Sequence, residues 1–262
     1  MSETFQIPIE AAEAYEQRFV PAIFAEWAPR AVAAAGVGQG TRLLDVACGT
    51  GIVARSAVDL IGDRGRVVGV DLNESMLVVA RRIAPDIEWR RGDAEELPFE
   101  DESFDVAICQ MAMMFFPDRR AAFDEMHRVL AVGGRLVVVV PAALDRQPAY
   151  RVFVDAAVEQ AGPAAASLLG AYWSCGDLDE LAAEAAATGL TIVDLATIDG
   201  TARFASAADF VATEIAASPL GERVDDAAAA EIAEATGRAL DHYSSARGFE
   251  IPLVCHVLVA GR

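Results

Sequence analysis

Between Arg42 and Val140 short apolar runs alternate with helical segments, and this alternation limits the fold more than any other feature of the chain. The runs Arg42–Ala47, Arg66–Val70, Ile87–Arg91, Phe104–Cys109 and Arg135–Val140 are strand-sized and rich in Val, Leu and Ile. One helical segment follows Gly49–Gly51 and ends near Ile61, and a second spans Ser75–Ala84 and is stopped by Pro85. A third spans Arg119–Leu130, with Phe123, Met126 and Leu130 on one face and Gly133-Gly134 as its stop. Repetition of this kind predicts an α/β fold: a doubly wound, mostly parallel sheet with helices on both faces.

The flanks are less regular. Ile9–Val20 reads as a helix ending before Pro21, followed by a second helix over Ala22–Ala35 and a loop at Gly36–Gly40. Beyond the alternation, Pro148–Leu169 looks helical and Asp177–Ala187 reads as a helix closed by Gly189. Leu190–Leu195 is a strand, Ala207–Ala217 and Asp225–Ser244 are helices, and Ile251–Ala260 is a last strand. No linker cuts the chain, so the expectation is one domain over 1–262. Its parts are N-terminal helices (1–40), a ligand-binding core (41–142), then lid helices with the last two strands (143–262).

Composition removes several functions. The 262 residues are 54% apolar and 23% charged, which excludes a disordered chain. No apolar run approaches the roughly 18 residues of a membrane span. The net charge of −19 repels phosphate backbones and anionic membranes, and so argues against a nucleic-acid partner. All 21 basic residues are Arg. Without Lys there is no Schiff-base lysine, no pyridoxal-phosphate catalysis, and neither the phosphate-loop lysine nor the kinase strand lysine. Cys48, Cys109, Cys175 and Cys255 lack metal-ligand or redox spacing and read as reduced, mostly buried thiols; no metal is expected. Met1–Glu10 lacks the basic start and apolar core of a secretory signal, so the cytoplasm is the expected location, with the protein a monomer or homodimer.

Leu43-Leu44-Asp45-Val46-Ala47-Cys48-Gly49-Thr50-Gly51 places a glycine-rich turn between a strand and a helix. Such a turn lets the backbone approach a ligand, and the helix start offers unpaired N–H groups. On a doubly wound sheet ligands bind at this edge, outside the carboxyl ends of the strands. A dinucleotide fingerprint would fall on Ala47, Gly49 and Ile52, only one of which is glycine. Ile52 is also too large for the third position. A Tyr-x-x-x-Lys pair is impossible in this chain, so a nicotinamide oxidoreductase is the weaker alternative.

Five stretches in order resemble the motifs of class I S-adenosylmethionine-dependent methyltransferases, over about Thr41–Val140. They are Asp45 with Ala47–Gly51, Asp71 at the end of strand two, Gly92–Phe99, Phe104–Gln110, and Arg128–Leu136. Ala47 stands where the family's first motif has its first glycine. The nearest branch is that of quinone-biosynthesis and small-molecule methyltransferases. The resemblance implies a Rossmann-like, seven-stranded sheet with helical lid inserts, and S-adenosylmethionine as cofactor with S-adenosylhomocysteine as product. It assigns Asp45 and the turn Ala47, Cys48, Gly49 and Gly51 to the methionine end. Asp71 goes to the ribose, Leu72 and Met76 to the adenine side, Asp93 and the Ala94 amide to the adenine edge, and Gln110 to the neighbourhood of the methyl.

The acceptor is expected to be a small, apolar molecule methylated on O, N or C. Met111, Met114 and Phe115 would line its pocket or pack as core, and Tyr15, Phe19 and Trp173 would close it or pack as helix aromatics. Met side chains suit an adaptable apolar pocket. Gln110-Met111 lacks the Pro-Pro-aromatic motif of nucleic-acid base methylation, and the metal-dependent catechol pattern is also missing. His127 and His242 read as surface residues and His256 as a satisfied core imidazole, so no catalytic residue is assigned. A protein that binds the cofactor without catalysis is the alternative.

Overall fold

The computed structural model describes residues 6–262. Strands β1 (Arg42–Val46), β2 (Arg66–Asp71), β3 (Glu88–Arg91), β4 (Phe104–Gln110) and β5 (Leu130–Pro141) pair in parallel in the order β3-β2-β1-β4-β5. Three of their four connections are helical: α3 (Ile52–Ile61), α4 (Glu74–Ile83) and α5 (Arg119–Val129); a loop joins β3 to β4. β6 (Thr191–Phe204) and β8 (Gly248–Gly261) complete the sheet, with β8 antiparallel between β5 and β6. A two-residue β7 (Ser244–Ser245) pairs only with β8, so the expected seven-stranded, doubly wound sheet is present with one short addition. Leu43, Leu44, Val46, Val68, Ala107, Ile108 and Leu136–Val140 are buried, as strands covered on both faces require.

Chain order reverses at β1 and β4. The chain runs outward from β1 through β2 to β3 on one side, then from β4 through β5 on the other. Val46 and Cys109 are register partners, so the turns after these two strands lie side by side at the reversal, where open α/β sheets bind ligands.

Four expectations about the flanks are corrected. The first helix does not stop before Pro21. α1 (Ile9–Ala14) continues as a π-helical segment (Tyr15–Phe24) that contains Pro21, and then as α2 (Ala25–Ala35), which contains Pro29. The wider i→i+5 winding tolerates a ring that an α-turn would push against the carbonyl four residues back. Pro148–Leu169 is two helices, α6 (Pro148–Ala161) and α7 (Ala164–Leu169), separated where Gly162 adopts φ 84° before Pro163. The helix expected over Asp225–Ser244 is α10 (Asp226–Ala239), followed by a short 3-10 turn. The strand read at Leu190–Leu195 runs on to Phe204 through Asp199-Gly200, a turn-like dipeptide. Pairing with β8 overrides that local signal. Gly200 is needed there because a Cβ would stand 2.3 Å from the Trp27 indole of α2. The matching N-terminal part of β8, beyond Cys255 opposite Pro141, carries the ribbon past the end of β5. α8 (Leu178–Ala186) and α9 (Ala207–Ala216) follow expectation, capped by the Asp177 and Ser206 side chains.

Candidate cofactor and acceptor site

The glycine turn is braced from three sides. Cys48 N–H donates to the Val70 carbonyl (3.0 Å), Gly49 N–H to Asp71 Oδ2 (2.8 Å) and Gly51 N–H to the Cys48 carbonyl (2.8 Å). Of the four amides of residues 48–51, Thr50 N–H alone has no internal acceptor among the described residues. The turn therefore spends most of its amides on its own shape. Gly49 (φ 55°) and Gly51 (φ 86°) occupy the left-handed region, and so does Ala47 (φ 53°), where an L-residue is strained. Gly51 has a further reason to lack a side chain: its Cβ would lie 2.1 Å from Trp89 Cη2 of β3. The same indole lies 2.3 Å from the Cβ position of Gly69. Trp89, absent from the motif reading, is the floor on which the turn rests, anchored by its N–H to the Ala84 carbonyl (2.9 Å).

Two carboxylates face the turn. Asp71, at the carboxyl end of β2, accepts from Gly49 N–H and from Asn73 N–H (2.8 Å). Asn73 in turn caps α4 by accepting from Ser75 N–H and Met76 N–H. Each Asp71 oxygen keeps acceptor capacity for a hydroxyl. Burial raises the Asp71 pKa, and the backbone amides oppose that rise. Asp45 is buried in β1 and accepts from Ala54 N–H (3.0 Å). Burial pushes its pKa up to about 7, against the pull of that amide and of Arg55.

The N-terminal helix closes over the turn. Glu16 accepts from Thr50 Oγ1 (2.6 Å) and from Arg55 Nη2 (3.0 Å), a clamp that no motif announced. It fixes Tyr15, whose hydroxyl lies 3.4 Å from the Cβ position of Gly49. Burial, then Asp71 and Asp45, push the Tyr15 pKa upward, so it stays a neutral phenol facing two carboxylates. Tyr15 stacks on Phe19 (5.8 Å) and Phe24 (5.2 Å). A spacing of four and then five residues aligns these rings on a π-helix, which explains why α-periodicity hid Phe24.

At the end of β4, Gln110 Nε2 donates to the Phe24 carbonyl (3.3 Å), while Gln110 Oε1 is buried without a partner. The next residue, Met111, has φ 54°. Two strained non-glycine residues, Ala47 and Met111, thus flank the sheet reversal, the kind of place where backbone strain gathers. Leu72 and Met76 are half-buried beside Asp71. Asp93 is exposed just beyond β3, accepting from Glu95 N–H, and Ala94 is buried. Of the residues expected near an acceptor, Met111 and Met114 are buried in the core cluster, whereas Phe115 is 55% exposed and meets Tyr172 edge-on (5.6 Å). Trp173 packs edge-on to Tyr150 (5.1 Å). The predicted residues of the cofactor half share one edge of the sheet, while Trp173 belongs to the lid cluster.

His256 is a satisfied core imidazole. Its Nε2 faces the Gly176 carbonyl (3.0 Å), so the proton sits there, and Nδ1 accepts from Thr197 Oγ1 (2.9 Å). His242 is exposed, but His127 is half-buried and packs near Gly189, a correction to its surface reading. Its helix lies against α8. Among the described residues no three His, Cys, Asp or Glu side chains are grouped as a metal would need, and no helix is long and apolar enough to cross a membrane.

This sheet order, with a glycine turn after β1 and an acid ending β2, defines the class I methyltransferase architecture. Residues 44–138 match the methyltransferase domain family. A demethylmenaquinone methyltransferase of Staphylococcus aureus is 38% identical over 130 residues, 48% of this chain and 52% of the relative. The chain thus aligns with about half the length of the curated relatives it matches. Among solved structures, a phosphoethanolamine N-methyltransferase of Haemonchus contortus in complex with S-adenosylhomocysteine superposes with TM-score 0.61 at 18% identity, covering 97% of this chain and 57% of that one. A S-adenosylmethionine-dependent methyltransferase of Aquifex aeolicus superposes with TM-score 0.59 at 12% identity, covering 97% and 98%. These similarities of structure extend the shared fold beyond the matched segment, into the lid.

Proposed function

We propose that this chain transfers the methyl group of S-adenosylmethionine to an O, N or C nucleophile of a small, largely apolar molecule. One observation carries the reading: a buried acid (Asp45), a left-handed glycine turn and a second acid (Asp71) are hydrogen-bonded into one unit at the sheet reversal. The residues suit the cofactor. Asp45 is a buried carboxylate with only one amide donor, a natural seat for an ammonium. Asp71 has acceptor capacity left for two ribose hydroxyls. Gln110 Oε1 is an orphaned acceptor beside the turn. Asp93 and the Ala94 amide would meet the adenine edge, with Leu72 and Met76 along its face.

When bound, the cofactor supplies a methyl on a sulfonium, already electrophilic. The chain then has to align a nucleophile and keep water out, which proximity and desolvation achieve without a catalytic side chain. Tyr15, Phe19 and Phe24 would seal the methionine end. Met111, Met114, Phe115 and Trp173 would shape the acceptor space. The net charge of −19 disfavours a phosphorylated acceptor. Calorimetric titration with S-adenosylhomocysteine and with NAD tests the reading. Saturable binding of the first and none of the second is expected, followed by transfer of a labelled methyl in an acceptor screen. NAD binding alone would overturn it, and tight cofactor binding with no transfer to any acceptor would leave a binding protein.

A further inference from the structure

The loop from β3 to β4 carries Asp93 and Ala94, and α5 sets its shape from outside. The stretch from Glu95 to Glu102 runs alongside that helix. Glu95 Oε1 accepts from Asp118 N–H (2.8 Å) at the helix start, and Glu102 N–H donates to the Arg128 carbonyl (3.1 Å) near its end. Between these points Leu97 is gripped through both of its backbone polar groups. Its N–H donates to Glu125 Oε2 (2.7 Å), and its carbonyl accepts from Arg128 Nη2 (3.0 Å).

Arg128 spends every N–H it has. Nε and Nη2 make a two-pronged pair with Glu125, each at 2.7 Å. Nη1 donates to the Phe99 carbonyl (2.7 Å) and to Asp101 Oδ1 (2.9 Å), and the second Nη2 hydrogen goes to Leu97. A guanidinium has five N–H donors in a fixed fork, and all five are met here. Such a group has nothing left to offer a ligand, so its effect falls on the loop. Glu125 and Arg128 are also partly buried, 19% and 30% exposed at the side chain, and salt screens such a pair less than one in open solvent.

Pro98 carries this grip back to the edge of the sheet. Gly92 lies directly against it, since a Cβ on Gly92 would stand 2.6 Å from Pro98 Cδ. Gly92 N–H donates to the Asp71 carbonyl (3.1 Å), and Glu96 N–H donates to the Asp93 carbonyl (3.2 Å). Asp93 and Ala94 are therefore held between β2 on one side and Leu97-Pro98 on the other, and Leu97 is fixed by α5. Arg128 opens the stretch Arg128–Leu136, and this arrangement gives that motif a task at the cofactor edge.

We propose that Glu125 and Arg128 are positioning residues for the adenine end of the cofactor: without touching it, they hold Asp93 and the Ala94 amide where the adenine edge is read. The inference rests on the methyl-transfer reading and adds two residues to its site.

The test compares S-adenosylhomocysteine with S-inosylhomocysteine by calorimetry on the full chain. The inosine analogue carries a carbonyl in place of the 6-amino group and a ring N–H in place of the N1 acceptor, so it inverts both contacts. We expect the parent to prefer the adenosine compound by about tenfold or more. Arg128→Gln should weaken S-adenosylhomocysteine about tenfold and the analogue less than about twofold, so the preference falls about fivefold or more. Arg128→Lys keeps the charge but not the fork, and should lose about threefold of the preference. Phe123→Leu is the control for stability, because Phe123 is buried on the same helix and makes none of these bonds. It should lower the melting temperature and keep the parent's preference within about twofold. Should Arg128→Gln not fold, Arg128→Lys decides. The proposal is overturned if the parent binds both compounds equally, if the folded Arg128 variants keep its preference, or if Phe123→Leu loses as much of it as they do. Failure of the parent to bind S-adenosylhomocysteine at all is a different result, which strikes the methyl-transfer reading and this inference with it.

Discussion

Asp45 and Glu214 are a matched pair, one in each half of the molecule. Both are carboxyls within the protein, 2% and 5% exposed, and burial pushes both to a pKa of about 7. Their surroundings differ. Asp45 is met by a backbone amide from the helix that follows its own strand, and its charged neighbours Arg55 and Asp71 lie close by in sequence. Glu214 lies beside Tyr150 of α6, and α7, α8 and β6 intervene between them in the chain. Asp45 belongs to backbone geometry fixed within one β-turn-α unit, and Glu214 is surrounded by side chains assembled from distant elements. The first kind of site leaves a local pattern in sequence; the second leaves none.

A single substitution made in both halves gives the widest separation. Gly51→Ala forces a Cβ onto the Trp89 indole at 2.1 Å and places an L-residue at φ 86°. Overpacking and strain together should cost about 3 kcal/mol or more. Gly237→Ala, inside α10, meets nothing closer than the Ala207 methyl at 3.6 Å. It should stabilise by up to about 1 kcal/mol, as alanine replaces glycine in a helix. Urea denaturation of the two variants checks both signs, and equal costs would mean the cofactor turn is no tighter than the lid.

The two carboxyls are also separable by pH. In the unfolded chain each ionises near pH 4, whereas in the folded protein each stays neutral until about 7. Folding takes up protons across that interval. The contribution of these two groups to stability is therefore full below pH 4 and falls as pH rises toward 7, by up to about 1.4 kcal/mol per pH unit for each group. Asp45→Asn and Glu214→Gln should each flatten this slope by one proton, seen in denaturation curves from pH 4.5 to 7.5. Cofactor binding then tells them apart. Ionised Asp45 suits an ammonium, so S-adenosylhomocysteine affinity should rise from pH 6 to 8. That rise should vanish in Asp45→Asn and persist in Glu214→Gln.

Asp71→Ala tests the other acid of the cofactor half. It removes the acceptor of the Gly49 and Asn73 amides together with the expected ribose contact. S-adenosylhomocysteine should bind about 1–3 kcal/mol more weakly by calorimetry. Unchanged affinity would place the ribose elsewhere.

Sequence pattern reveals strands β1 to β5, their helices, the turn and both of its acids, because each of these rests on local periodicity or on glycine. It does not reveal Glu16, one acid in a chain with 40, whose clamp on Thr50 and Arg55 exists only after the N-terminal helix docks. Nor does it reveal Trp89, because Gly51 is equally well explained by a ligand until the indole beneath it is seen. The π-winding of 15–24 has a period that an α-helical search discards. Asp199-Gly200 signals a turn and is overruled by pairing with β8. Glu214 and Thr236 look like ordinary residues of amphipathic helices until the packing leaves Glu214 Oε1 and Thr236 Oγ1 without hydrogen-bond partners.

The smallest expected effect concerns the one departure from the glycine pattern. Ala47 sits at φ 53°, a conformation that costs an L-residue about 1–2 kcal/mol. Ala47→Gly removes that strain but frees the unfolded chain, which takes back about 0.5–1 kcal/mol. The balance favours the folded state by roughly 0.5–1 kcal/mol, a shift readable in the urea midpoint at constant slope. Met111→Gly relieves a similar φ, yet it empties a buried side chain and should therefore destabilise. Opposite signs at these neighbouring strained positions would show that the chain carries the strain at Met111 for its side chain, and at Ala47 for none. If Ala47→Gly instead loosens S-adenosylhomocysteine binding, the methyl group is holding the turn in its binding shape, and the missing glycine is a functional feature of this cofactor site.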